Sequence, residues 1–218
     1  MTTEPLQPPF TRSQLTRASK FMSLVLRHRP QLIGLVLDRE GWALIEDLMT
    51  GSQTRSLPLS PALIAEVVQH NDKQRFRLSE DGLRIRANQS HSVPVDLALS
   101  PLEPPITLFH GTADRFWSSI QRNGLQRRSR QHVHLSAEYA TAIRVGQRHG
   151  VPIVLAVDAH ALWEAGQPFY RSDNGVWLTD AVPPTFLHLL PPEAHSPENR
   201  PDSLMPHRNF AHLQCRAR

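Results

Sequence analysis

Four prolines between residues 92 and 105 limit what this chain of 218 residues can fold into. The segment reads SVPVDLALSPLEPP, and its two charged residues are Asp96 and Glu103. Because proline cannot continue a helix or donate to a central strand, the segment predicts an extended connector. We therefore expect two domains, residues 1–91 and 106–190, joined by this linker.

Other features of the chain limit its class. A second proline-rich stretch from Pro191 predicts a flexible tail over residues 191–218, because it has little apolar surface to bury. The single Cys215 allows neither an internal disulfide nor a cysteine-rich zinc site. The sequence has no apolar run of about 18 residues and no signal-peptide pattern. We therefore expect a cytoplasmic monomer that binds no membrane.

The basic residues of the chain are mostly arginine. Only two of the 24 are lysine, and residues 1–90 carry 12 basic and 9 acidic residues, whereas residues 91–190 carry 8 of each. The guanidinium offers a planar fork of donors that suits phosphate oxygens. A GC-rich genome, whose codons favour arginine, explains the same excess. Composition alone leaves both interpretations open.

Three helices are predicted in the first domain. Apolar residues at helical spacing from Leu15 to Leu26 predict a helix that stops before Pro30. Ser60 followed by Pro61 is a typical helix start. The remaining predicted elements are a short strand at 35–37 and helices at 43–49 and 61–70.

Residues 75–86 predict a β-hairpin whose turn ends at Gly82. Alternation puts apolar side chains on one face and four arginines on the other: Arg75, Arg77, Arg84 and Arg86. Since like charges destabilise a sheet, an anionic partner would stabilise this face. Three helices and a basic hairpin are typical of a winged-helix domain that binds nucleic acid. A solvated hairpin face is the alternative interpretation.

The second domain alternates short strands and helices, so we predict an α+β fold. Its first strand, 106–109, runs into His110, Gly111 and Thr112. The sequence contains no glycine motif of the Rossmann or P-loop type, which argues against those nucleotide sites. The other predicted elements are strands at 132–135, 153–157, 169–171, 176–178 and 186–189, and helices at 114–122 and 137–149.

Residues 115–130 contain five arginines and no acidic residue. On an extended segment, Arg130, His132 and His134 point the same way. Together with His110, the two histidines could form a zinc site. The neighbouring arginines would repel a divalent metal, so the row favours an anion site without a metal.

Five stretches of the sequence resemble the RNA 2′-phosphotransferase (KptA, tRNA 2′-phosphotransferase) family and follow its order. The resemblance covers residues 15–187, and it implies an N-terminal winged-helix lobe that binds RNA and a C-terminal ADP-ribosyltransferase-like lobe that binds NAD. Ser90 departs from the family, which usually reads ANQGHS here. The matching stretches are SKFMSLVLRHRPQLIGLVLDREGW (19–42), NDKQRFRLSEDGLRIRANQSHSV (71–93), LFHGT (108–112), RSRQHVHLS (128–136) and FYRSDNGVWLTDAVPPTFL (169–187).

The resemblance implies an NAD-dependent enzyme that removes an internal 2′-phosphate from RNA of the tRNA splice-junction type. The phosphate first displaces nicotinamide from NAD and gives a 2′-phospho-ADP-ribosylated RNA. The ribose 2″-hydroxyl then attacks phosphorus, which yields 2′-OH RNA and ADP-ribose 1″,2″-cyclic phosphate. NAD is a co-substrate, and no metal is needed.

The resemblance also implies roles for individual residues. Three arginines would clamp the 2′-phosphate, and His28 would transfer a proton or donate a hydrogen bond in the second step. The clamping residues are Arg27, Arg75 and Arg130. The residues that would line the NAD site are His110, Gly111, Thr112, His134 and Ser136.

Two other functions remain open at this stage. One is ADP-ribosylation of a terminal phosphate of RNA or DNA without the second step. The other is a non-catalytic winged-helix protein that binds nucleic acid and whose second lobe senses NAD.

Overall fold

Two hydrophobic cores organise the described residues, 9–70 and 73–191, of this computed structural model. The first core extends from Ala18 to Ala87, and the second from Leu108 to Leu187. Helices alternate with small antiparallel sheets, so the predicted α+β fold is confirmed. The domain boundaries stay predictions. Apart from Pro191, the predicted tail lies outside the described residues.

Three helices and three strands build the first core. Thr11 and Gln14 form a capping box at the start of the first helix, and the Ser60 hydroxyl accepts from the Leu63 amide at the start of the third. The third helix therefore begins at Pro61, as predicted, whereas the first begins at Arg12, before the apolar periodicity that starts at Leu15. The elements are α1 (Arg12–Arg27), β1 (Ala43–Leu44), α2 (Ile45–Gln53), α3 (Pro61–Gln69), β2 (Phe76–Leu78) and β3 (Arg84–Ala87).

Two predictions in the first core are wrong. Residues 35–37 form no strand, because a 3₁₀ turn at Pro30–Ile33 ends at the left-handed Gly34 and the chain continues without pairing. The third strand is β1, which pairs with β3 and completes a sheet in the order β1-β3-β2. The helix expected from residue 43 therefore begins two residues later, at Ile45.

The hairpin forms, but its arginine face differs from the prediction. Arg77, Arg84 and Arg86 lie 4.7–5.8 Å from the ring centre of Trp42. The same three guanidiniums also pair with carboxylates of Asp173, Asp38 and Glu40. Their repulsion is thus balanced within the protein, and the expected need for an external anion on this face is wrong.

The second core is built from short strands with helices packed on them. Strand β4 (Thr107–Ala113) extends past the predicted end at residue 109 and includes His110, Gly111 and Thr112. Three sheets form, in the orders β11-β7-β4, β6-β9-β8 and β10-β5. The elements are β4 (Thr107–Ala113), α4 (Trp117–Asn123), β5 (Leu125–Gln126), β6 (Val133–Leu135), α5 (Tyr139–Gly146), β7 (Pro152–Asp158), α6 (Ala159–Glu164), β8 (Phe169–Arg171), β9 (Trp177–Thr179), β10 (Ala181–Val182) and β11 (Leu187–Leu190).

The connector is held against both cores by hydrogen bonds. The Ser92 amide donates to the Arg27 carbonyl at 2.9 Å, at the C-terminal end of α1. The Gln131 side-chain amide donates to the carbonyls of Val93 and Val95 at 3.2 and 2.8 Å. Residues 94–105 contain no helix or strand, as their prolines predict. The connector therefore brings the end of α1 close to the segment before β6.

The helices of the described residues are too short or too polar to cross a membrane.

Candidate active site

Three of the predicted arginines come together at the end of α1. Arg27 is its last residue and is 8% exposed, and its Nη2 donates to the Arg75 carbonyl at 3.1 Å. Burial, and then repulsion from Arg75 and Arg130, lowers the pKa of Arg27 to about 10. A buried cation beside two others is unfavourable until an anion neutralises it.

The charges of Arg27 and Arg130 lack counter-ions in the part of the chain that the structure describes. No Asp or Glu there lies within 4.0 Å of either guanidinium. The buried Arg27 Nε also has no hydrogen-bond partner among these residues. The hairpin arginines differ, since Arg77 lies 2.7 Å from Asp173. The end of α1 therefore has the charge and the donors of an anion site.

His28 directly follows Arg27 and is exposed beside it. Its Nδ1 lies 3.0 Å from the Ser92 hydroxyl, so the connector orients the ring. Partial desolvation of the ring, and then repulsion from Arg27 and Arg130, lowers the pKa of His28. The imidazole is therefore neutral at pH 7 and able to exchange a proton with a reacting oxygen.

Strands β4 and β6 place two histidines next to each other. Phe109 and Ser136 exchange two backbone hydrogen bonds of 2.8 Å, which join the two strands. His110 Nδ1 then lies 3.0 Å from the His134 carbonyl. Since a carbonyl only accepts, Nδ1 of His110 carries the hydrogen. Burial lowers the pKa of His110, although this hydrogen bond opposes the shift.

His134 links this pair of strands to the arginines. Its Nδ1 lies 3.5 Å from Nη1 of Arg130, and its Nε2 lies 3.0 Å from the Ser90 hydroxyl. Burial, and then repulsion from Arg130, lowers the pKa of His134 to about 3. The ring is neutral at physiological pH and sits between Arg130 and the segment that follows the hairpin.

The expected row of Arg130, His132 and His134 is only partly formed. Arg130 lies in the turn before β6, where its amide donates to the Arg127 carbonyl, and not in the strand itself. The His132 ring packs against Tyr170, with ring centres 5.7 Å apart. Across residues 9–70 and 73–191, no three His, Cys, Asp or Glu side chains are arranged to hold a metal ion.

Gly111 and Thr112 are buried against α5. A Cβ at Gly111 would lie 1.7 Å from the Ala142 carbonyl, so glycine is required for the helix to approach the strand. Thr112 is 7% exposed, and a Cβ at Gly146 of α5 would lie 2.7 Å from the Thr112 carbonyl oxygen. The packing of α5 against β4 thus explains why residue 111 is glycine.

Most of the chain matches one known protein family. Residues 13–181 match the family described as RNA 2′-phosphotransferase, Tpt1 / KptA family. The chain belongs to this family. The resemblance found in the sequence and the enzyme class that it implied are both confirmed.

Several curated relatives of the family resemble the chain over most of its length. A protein of Agrobacterium fabrum is 57% identical over 172 residues, which are 79% of this chain and 92% of the relative. A protein of Hahella chejuensis is 54% identical over 177 residues, 81% of this chain and 95% of its own length. A protein of Pseudomonas aeruginosa is 51% identical over 177 residues, which are 81% of this chain and 97% of the relative. Each is named "Probable RNA 2′-phosphotransferase".

The sequence analysis assigned no role to three residues beside the candidate site: Ser90, which it noted only as a departure from the family, His91 and Ser92. The serine hydroxyls contact His134 and His28, respectively. His91 is 1% exposed, and neither of its ring nitrogens has a hydrogen-bond partner in the described residues. Burial, and then repulsion from Arg27, lowers its pKa to about 4. Their position between the hairpin and the connector was the available signal, since that segment must cross between the two predicted domains.

The buried histidines predict that the folded state loses stability as the pH falls below 6.5. The folded-state pKa values of His91 and His134 are about 4 and about 3, below the unfolded value of 6.5. In this window the unfolded state binds more protons, so acidification favours unfolding. Each group contributes up to about 1.4 kcal/mol per pH unit. Thermal unfolding between pH 7 and 4.5 measures the slope of Tm against pH.

His91→Gln tests the source of this slope, with His149→Gln at an exposed position as the matched control. We expect a shallower decrease of Tm in the His91 variant and an unchanged slope in the control. Equal slopes in all three proteins would show that His91 does not contribute.

Proposed function

We propose that this family member uses NAD to remove an internal 2′-phosphate from RNA, of the kind left at a tRNA splice junction. One observation carries the proposal. Arg27 at the end of α1 and Arg130 before β6 repel each other, and neither has a carboxylate partner among the described residues. A dianionic phosphate held between them would relieve this repulsion and occupy their donors.

In the first step, a 2′-phosphate oxygen attacks the anomeric carbon of the nicotinamide ribose, and nicotinamide leaves with the electrons of the C–N bond. The nucleophile is already anionic, so no general base is required. The task of Arg27, Arg75 and Arg130 is to hold the phosphate in line with that carbon.

In the second step, the ribose 2″-hydroxyl attacks phosphorus, and the 2′-oxygen of the RNA leaves. The hydroxyl proton must be removed and the leaving oxygen must gain a proton. His28 is neutral, exposed and adjacent to Arg27, which suits it to this transfer. The arginines neutralise the charge that spreads over the phosphoryl oxygens in the transition state.

NAD is placed along β4 and β6 in this proposal. His110 and His134 are neutral imidazoles on neighbouring strands, and Ser136 continues β6 past them. The Nε2 atom of the neutral His110 ring can hydrogen-bond a ribose hydroxyl without repelling the cationic nicotinamide, while His134 lines the same surface. Gly111 and Thr112 support this surface by letting α5 pack closely behind β4.

The two cores are interpreted as the two lobes of the family. Helices α1 to α3 with the sheet β1-β3-β2 support a winged-helix RNA-binding lobe over residues 1–91. The sheets that contain β4, β6, β7 and β9 support an ADP-ribosyltransferase-like lobe over 106–190, with 92–105 as the linker. The phosphate then binds at the junction of the lobes, near the docked connector.

A product analysis tests the function. The purified protein is incubated with NAD and an oligonucleotide that carries one internal 2′-phosphate. We expect release of nicotinamide, a 2′-OH product and ADP-ribose 1″,2″-cyclic phosphate. Absence of product at excess enzyme would refute the proposal. A stable, NAD-dependent mass increase on 5′-phosphorylated RNA or DNA, with no 2′-OH product, would favour terminal ADP-ribosylation instead.

A further inference from the structure

Ser90 has an unusual backbone conformation next to the candidate site. Its φ is +73°, in the left-handed region that glycine adopts freely and other residues rarely adopt. The family resemblance implies glycine at this position. The backbone conformation alone therefore gives no reason for a serine, so the side chain needs a separate explanation.

The Ser90 hydroxyl contacts two side chains. It donates to Oε1 of Gln89, and it lies 3.0 Å from Nε2 of His134. A hydroxyl has a single hydrogen, and the amide oxygen only accepts. The hydrogen of the second contact must therefore come from the imidazole, which places it on Nε2 of His134.

The other side of the ring agrees with this assignment. Nδ1 of His134 lies 3.5 Å from Nη1 of Arg130, and a guanidinium only donates. Nδ1 must therefore present a lone pair. Hydrogen bonds on both sides of the ring consequently select the same neutral tautomer, with hydrogen on Nε2 and none on Nδ1.

We propose that Ser90 is a positioning residue that holds His134 in the Nε2–H tautomer and thereby directs the Nδ1 lone pair at Arg130. Hydrogen bonds run in one direction from Arg130 through the imidazole and the Ser90 hydroxyl to Gln89. The consequence for catalysis rests on the proposed function, because Arg130 would then be oriented towards the phosphate. The tautomer itself does not depend on that function.

Two substitutions separate the hydroxyl from the backbone. Ser90→Ala keeps a Cβ at the left-handed position and removes the oxygen, whereas Ser90→Gly removes the oxygen and also fits the backbone. If the hydroxyl acts on His134, the two variants change together. If only the backbone conformation matters, the glycine variant resembles the wild type.

The tautomer is measured by ¹⁵N NMR of histidine-labelled protein without RNA or NAD, with His134→Gln used to assign the resonances. We expect hydrogen on Nε2 alone in the wild type. In both Ser90 variants only the 3.5 Å contact with Arg130 still favours this tautomer, so we expect a mixture that includes the Nδ1–H form. Turnover of the 2′-phosphorylated oligonucleotide is expected to fall about two- to tenfold in both, the range for one hydrogen bond. An unchanged Nε2–H tautomer in both variants would overturn the proposal, as would a wild-type tautomer in Ser90→Gly alone.

The two proposals fail in different ways. A wild type that makes no 2′-OH product refutes the proposed function, while a shift of tautomer in the variants still supports the role of Ser90. An active wild type with unchanged NMR spectra in the variants refutes the role of Ser90 and leaves the function intact.

Discussion

Replacing Arg130 with alanine is expected to stop the reaction after its first step, so that 2′-phospho-ADP-ribosylated RNA accumulates. The first step uses a nucleophile that is already charged, and two other arginines remain to hold it. The second step develops charge on the phosphoryl oxygens, and removal of one donor to such a group lowers the rate by about 10²–10³-fold. Mass spectrometry of the RNA product over time measures the ratio of intermediate to 2′-OH product.

Arg130 is exposed, so the variant is expected to fold normally. Arg122→Ala removes an exposed arginine from α4 and serves as the matched control. We expect it to give the same products and the same Tm as the wild type. Turnover of Arg130→Ala at the wild-type rate without intermediate would refute a role of Arg130 in the second step.

Arg27→Met is expected to change stability and activity in opposite directions. The guanidinium is buried beside Arg75 and Arg130, and methionine fills a similar volume without a charge. We expect turnover to fall by about 10²–10³-fold, because a phosphate donor is lost. We also expect the free energy of unfolding to rise, because a buried charge without a counter-ion is removed.

The sign and size of the stability change follow from the pKa. The folded-state pKa of Arg27 is about 10, well below that of the free group, so the folded state disfavours its charge at every pH below about 10. This shift corresponds to about 3 kcal/mol at neutral pH. Loss of the hydrogen bond to the Arg75 carbonyl offsets about 1 kcal/mol. We therefore expect the free energy of unfolding of Arg27→Met to rise by about 2 kcal/mol. Urea unfolding measures this change.

Arg27→Lys distinguishes charge from shape. Lysine keeps the buried positive charge and loses the planar fork, so we expect reduced turnover without the gain in stability. If Arg27→Met unfolds at lower urea than the wild type, then Arg27 stabilises the fold, and the anion-site interpretation of its environment is wrong.

Local sequence patterns predicted much of the fold correctly. The helix periodicity from Leu15, the Ser60 cap and the hairpin over residues 75–86 all depend on neighbours a few residues away. The strand at 35–37 was wrong because three apolar residues do not reveal whether a pairing partner exists. The partner strand β3 pairs with Ala43 and Leu44 instead.

The surroundings of the arginines could not be predicted, because they depend on contacts across the chain. Asp173 pairs with Arg77 from a position 96 residues away. The alternating pattern therefore grouped four arginines as one face. In the structure, Arg77, Arg84 and Arg86 pair with carboxylates, and the Arg75 carbonyl accepts a hydrogen bond from Arg27. The family resemblance placed Arg27, Arg75 and Arg130 together, and their mutual electrostatic effect is consistent with that placement.

The hydrogen bond between the Ser92 amide and the Arg27 carbonyl attaches the connector to the end of α1, next to the repelling arginines. Arg27 and Arg130 are attached to different cores and repel each other, so their charges act to separate the two halves of the protein. Under the proposed function, a phosphate bound between them would replace this repulsion with attraction of both arginines to the same anion. Phosphate binding and the association of the two halves would then be thermodynamically linked. The Ser92 amide, which is bonded to the Arg27 carbonyl, lies where the two halves are joined.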